Sequence, residues 1–144
     1  MIKMKIIIPG IPKSQMRHRH CKVGQFIRVY DPSSKDKAEV KNYVVEQLES
    51  ELLKNSPIFS LESILYVDIT FYMPIQKSVS KSKRMVLLNT DHICKPDLDN
   101  LAKFYLDMMS GIVFHDDNHI ASLNLKKVYS DDPKTEIEIK QINQ

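Results

Sequence analysis

The chain of 144 residues contains no tryptophan, only three glycines and only two cysteines. Cys21 and Cys94 are far apart and neither belongs to a CxxC pair. A disulfide framework is therefore excluded, and reduced thiols are expected. No apolar run approaches the roughly 20 residues that cross a bilayer, so no membrane association is expected. The start, Met1-Ile2-Lys3-Met4-Lys5, lacks the apolar stretch of a secretory signal, and a cytoplasmic location is expected. Internal repeats, linkers and low-complexity tails are also missing, which leaves one domain over residues 1–144.

Hydrophobic residues make up 42% and charged residues 27%, ordinary values for a globular protein. Net charge is only +3, so distribution matters more than the sum. One basic run holds Lys13, Arg17, Arg19 and Lys22, with His18 and His20 between them; a second holds Lys77, Lys81, Lys83 and Arg84. Acidic residues gather elsewhere, at Asp97, Asp99, Asp107, Asp116 and Asp117. Basic flanks around an acidic centre suit an enzyme that holds a polyanion and cuts it with a bound cation. His18-Arg19-His20-Cys21 has no CxxC or HxxxH partner and does not indicate zinc.

Residues 2–8 read as a buried strand ended by Pro9-Gly10. Residues 25–30 read as a second strand, paired with part of 16–23. Asp31-Pro32-Ser33-Ser34 offers helix-start chemistry for a helix over 33–54. Residues 64–72 are rich in β-branched and aromatic side chains and form the clearest strand. A short helix is expected over 78–90, and a longer one over 98–110 ending at Gly111. Strands near 119–129 and 135–142 should form a hairpin through the turn Ser130-Asp131-Asp132-Pro133. The fold class is α+β: a small mixed or antiparallel sheet packed with two main helices. Phe26 and Phe104 could serve as an apolar wedge against a partner but read more simply as core.

On the 98–110 helix, steps of about 100° place Leu98, Leu101, Ala102, Tyr105, Met108 and Met109 on one arc. Asp99, Lys103 and Asp107 fall on the opposite side, with Asp97 at the N-terminal end. Taken singly, each feature has an ordinary explanation. Asp97 would cap the helix, Asp99–Lys103–Asp107 would form a solvated ladder, and Asp116-Asp117-Asn118 would be a turn. Asp107 would pair with Lys103 or face water. Together, Asp97, Asp99, Asp116 and Asp117 form a set of hard oxygen ligands of the kind Mg²⁺ prefers. Like charges packed this closely repel one another without a cation.

The segment Lys95-Pro96-Asp97-Leu98-Asp99-Asn100-Leu101-Ala102-Lys103, then Asp107, Gly111 and Asp116-Asp117 followed by Ile120, resembles the RusA family of Holliday-junction resolvases. Gly10-Ile11-Pro12-Lys13 with Arg17 and Arg19 is similar to that family's basic stretch, although His18 stands where proline is commoner. Lys126 and Lys127 on a late strand also fit. The resemblance implies a RusA-like fold and a Mg²⁺-dependent endonuclease using one or two ions. It further implies a homodimer that resolves four-way or branched DNA in recombination and repair. Catalytic carboxylates would map onto Asp97, Asp99 and Asp117, the catalytic lysine onto Lys103, and a further metal ligand onto Asp116. Lys13, Arg17, Arg19, Lys22, Lys81, Lys83 and Arg84 would contact DNA phosphates. Since such proteins are often carried by phages or prophages, a bacterial or phage origin is expected.

Two rival readings can be separated. A branched-DNA-binding protein without catalysis would not need every acidic position and the lysine filled. A phosphatase of the haloacid-dehalogenase type would carry its DxD directly after an apolar strand, whereas Cys94-Lys95-Pro96 stands there.

Overall fold

Strict alternation puts one strand at the centre of the sheet. Leu65, Val67, Ile69, Phe71 and Met73 are buried, while Tyr66 and Asp68 between them are exposed. This is the period-two pattern of a strand with one face on the core. The computed structural model describes residues 2–143; Met1 and Gln144, the limits of the expected domain, lie outside the described residues.

In chain order the elements are β1 (Ile2–Pro9), β2 (Arg19–Val23), β3 (Phe26–Tyr30), α1 (Ser34–Gln47), α2 (Glu49–Lys54), β4 (Leu65–Pro74), α3 (Lys81–Leu87), α4 (Leu98–Met109), β5 (Ile120–Ser130) and β6 (Lys134–Gln141). A 3-10 turn, Asp117–His119, precedes β5. The sheet runs β1-β6-β4-β5. β6 is antiparallel to both neighbours, with Ile137 opposite Ile6 on one side and Ile69 on the other. β4 and β5 run parallel, with Ile69 opposite Leu125. The mixed sheet with two main helices is the α+β class expected.

The core joins Val40 and Val44 of α1 and Leu101, Phe104, Tyr105 and Met108 of α4 to the apolar side chains of β1, β4 and β6. Full burial of each such side chain stabilises the fold by roughly 1.5–3 kcal/mol. The outward face of the sheet is polar, with Lys3 Nζ 2.8 Å from Glu138 Oε1 across β1 and β6. Among the described residues no helix is long and apolar enough to cross a membrane.

Four expectations change. The strand read as buried over 2–8, β1, lies at the sheet edge, and only its Ile6 and Ile8 are buried. β5 and β6 form no hairpin, because β4 lies between them. At the sheet edge β4, the most apolar strand, would leave a row of N–H and C=O groups unpaired. The turn Ser130-Asp131-Asp132-Pro133 instead reaches across about two strand spacings, roughly 10 Å, at the end where Pro74 stops β4. The helix expected over 33–54 breaks at Leu48, where φ is −104° and ψ 18°. Just before the break, Gln47 bonds the edge of β1: its Oε1 accepts from Ile7 N–H at 3.1 Å and its Nε2 donates to Ile7 O at 2.9 Å. Finally, Phe104 is fully buried but Phe26 is 78% exposed. Phe26 belongs to the β2–β3 ribbon, all of whose residues are exposed, and not to the core.

Candidate active site

α4 begins at Leu98, so Asp97 occupies the cap position expected for it, with extended backbone. Its carboxylate, however, accepts no hydrogen bond from the helix. The apolar arc of α4, including Leu101, Ala102, Tyr105 and Met108, is buried, which forces Asp99 and Lys103 outward. Asp97, Asp99 and Lys103 line one wall of a cleft of about 300 Å³, and Gln15, Arg17 and His18 line the other.

That second wall is irregular chain, and its position depends on specific bonds. Lys13 N–H donates to Tyr105 Oη at 2.9 Å, and Gln15 N–H donates to Asn100 O at 2.9 Å. Both bonds reach back to α4 from the opposite side of the cleft. Met16 N–H donates to Ser33 Oγ at 2.8 Å. Asp31 gathers the rest: it accepts from Gln15 Nε2 at 2.7 Å, Ser33 N–H at 2.9 Å and Lys37 Nζ at 2.8 Å. Burial acts to raise the Asp31 carboxyl, but the bonds from Lys37, Ser33 and Gln15 outweigh it and hold the group at about 2. Tyr105→Phe should cost about 1 kcal/mol, the net value of one hydrogen bond, measured by urea unfolding. It should loosen the wall at Lys13 without altering the core.

A third support holds the chain that enters α4. Lys127 Nζ on β5 donates to Cys94 O and to Pro96 O, each at 2.7 Å. His92 N–H donates to Lys127 O at 3.0 Å. The three residues before Asp97 are thus fixed to β5.

Asp116 and Asp117 are exposed in the 3-10 turn, where Asp116 Oδ1 accepts from Asp117 N–H at 2.9 Å. They do not line the cleft with Asp97. Burial first, then the charges of Asp116 and Asp107, push the Asp117 carboxyl up. Among the described residues no Lys, Arg or His is paired with Asp97, Asp99, Asp116 or Asp117. Nor, among the described residues, do three His, Cys, Asp or Glu side chains stand close enough together to hold a metal ion. Lys103 also has no acidic partner there. Asp107 pairs instead with Lys37 Nζ at 3.2 Å, because α1 packs beside α4 and brings Lys37 between Asp31 and Asp107.

The basic residues divide by position. Arg17 faces the cleft. Arg19 and Lys22 stand on the exposed ribbon, and Lys81 and Lys83 on α3. Lys13 is paired with Asp36 at 3.3 Å and Arg84 with Asp131 at 3.1 Å. Asp31, Tyr105 and Lys127 support the site through bonds to segments distant in the sequence, a role that no local pattern in the chain marks.

Residues 9–140, which include both walls of the cleft and the Asp116-Asp117 turn, match the family described as endodeoxyribonuclease RusA. The chain belongs to the RusA family. It is an endodeoxyribonuclease. It is 33% identical over 110 residues to the crossover junction endodeoxyribonuclease rusA of Lactococcus phage r1t, covering 74% of this chain and 76% of the relative. It is also 28% identical over 148 residues to the uncharacterised protein YqaN of Bacillus subtilis (strain 168), covering 97% of each.

Proposed function

We propose that this RusA-family enzyme resolves four-way DNA junctions by two matched nicks, with Mg²⁺ as its metal and a homodimer as its working form. The observation that carries the reading is the cleft itself. Two carboxylates and a lysine, without ionic partners among the described residues, share one wall, facing Arg17 on the other.

Asp97 and Asp99 on the cleft wall, and Asp116 and Asp117 in the turn before β5, would hold one or two Mg²⁺ ions. Their hard, un-neutralised oxygens fit that ion. Mg²⁺ commonly binds through one or two carboxylates together with substrate phosphate and water, so a closed protein cage is not required. When bound, it supplies charge neutralisation at the phosphodiester and activation of water. Lys103, on the same wall, would stabilise the negative charge that grows on the phosphate. Arg17, Arg19, Lys22, Lys81 and Lys83, with Lys13 and Arg84 behind their acidic partners, hold the backbone and make binding salt-dependent. A junction is close to two-fold symmetric, and a symmetric dimer presents two sites related by the same operator.

The test compares a synthetic four-way junction, linear duplex and single strand, with and without Mg²⁺. Paired nicks in the junction alone, dependent on Mg²⁺, are expected. Binding without nicks, or equal cutting of linear duplex, would overturn the reading. Lys103→Met should lower the nicking rate by roughly 10²-fold with little change in junction affinity, as read by single-turnover kinetics and gel shift.

A further inference from the structure

The two segments that wall the cleft also wall a second cavity, of about 470 Å³. Ile11 and Pro12, just before the Gln15–His18 wall, line it on one side, and Cys94, Lys95 and Pro96, just before Asp97, line it on another. The two cavities therefore follow one another along the same pair of chains. From Asp97 back to Lys95 is two residues, at most roughly 7 Å of extended chain, so the cavity lies within the reach of one nucleotide from Asp97.

The lining narrows the ligand class. Pro12, Pro74, Ile75 and Pro96 offer apolar surfaces suited to the faces of a planar ring. Gln76, His92 and Tyr129 add hydrogen-bonding groups. His92 is only 8% exposed, packs tilted against Tyr129 at a centroid distance of 4.7 Å, and leaves Nδ1 without a hydrogen-bond partner among the described residues. Burial, then the charge of Lys127, push its pKa down, so the ring is neutral near pH 7 and offers one donor and one acceptor. Lys83 and Lys95 line the same cavity, and among the described residues neither is paired with a carboxylate. A purely apolar ligand would not call for two free ammonium groups, and a bare phosphate would not call for apolar walls. A nucleotide uses both.

We propose that this cavity takes the unpaired base of the nucleotide adjoining the phosphate that is cut beside the Asp97–Asp99 wall, while the phosphate of that nucleotide meets Lys95 and Lys83. The inference rests on the junction-cutting reading above. A base leaves a duplex only at the cost of stacking and pairing, and that cost is least where pairing is already broken. The cavity would thus favour a branch point over continuous duplex.

The experiment uses the full chain and a four-way junction whose cut positions have been mapped. Abasic sites and 2-aminopurine are placed in turn at the nucleotides on either side of the cut. One abasic position should lower kcat/KM by about tenfold, in line with the loss of base stacking, and 2-aminopurine there should change its fluorescence on binding. Val79→Trp, which plugs the cavity wall, should bring the intact junction down to the abasic rate, with no further loss when both changes are combined. Gln76→Ala, at an exposed position, gives the same non-additive comparison should the tryptophan variant fail to fold. If the junction is cut normally and no abasic position changes the rate more than about twofold, on the same scale, the cavity proposal is overturned and the resolvase reading stands. If no junction is cut with Mg²⁺ present, both fall.

Discussion

Asp97→Asn is expected to abolish cutting while DNA binding persists. Asparagine is as good a helix cap as aspartate, and the Asp97 side chain makes no bond to the helix that could be lost. The fold therefore has no reason to respond. What disappears is one negative charge in a cleft where Asp97 and Asp99 lack ionic partners among the described residues. Losing that charge weakens the hold on a divalent cation, and the rate should fall by roughly 10³-fold, the upper range for removing one electrostatic contact to the reacting centre. Junction affinity should hold or rise slightly, since a charge that repels phosphate has gone. Single-turnover nicking and a gel shift on the same junction separate the two effects. Cutting at the wild-type rate would remove Asp97 from the mechanism.

The second large effect concerns stability and its dependence on pH. Asp31→Asn removes the carboxylate charge and the Oδ2 that accepts from Lys37, while the amide Oδ1 keeps an acceptor for Gln15 and Ser33. A carboxyl held at about 2 when folded, against about 3.9 when unfolded, binds its proton more weakly in the folded state. Its contribution is therefore fully present above about pH 4 and is lost as pH falls through about 2. At about 1.4 kcal/mol for each pH unit between those values, the variant should lose about 2–3 kcal/mol at pH 7. Urea unfolding should show this gap narrowing below pH 4 and closing near pH 2. A gap of constant size would place the effect in packing and not in the charge. Nicking should fall too, because Gln15 stands on the cleft wall that Asp31 anchors.

Which features were legible in the sequence follows from range. α4 announced itself because its pattern is local: the apolar arc Leu101, Tyr105 and Met108 fixes the orientation of Asp99 and Lys103 without help from any other element. β4 was legible for the same reason, through strict alternation. The errors arose where distant segments decide. Sequence proximity suggested that β5 and β6 pair, yet β4, about 50 residues away, takes the place between them. The match of Asp107 to Lys103 was a sound local guess, overruled by Lys37 from α1. Phe26 looked like core because aromatic residues usually are, but an isolated ribbon has no second layer to bury it. Asp31 read only as a helix start; its other role depends on Gln15 and Lys37 arriving from both sides.

The parallel pairing of β4 with β5 also bears on the order of folding. Residues 75–119 connect the two strands, and the whole Asp97–Lys103 wall lies inside that crossover. Closing so long a loop spends chain entropy before any pairing repays it, so β5 docks late. Lys127 cannot reach the carbonyls of Cys94 and Pro96 until it does. A chain whose β5 has not docked lacks the Lys127 tie that fixes the residues leading into Asp97, so the entrance to the acidic wall is tied down by a strand that comes after it in the sequence.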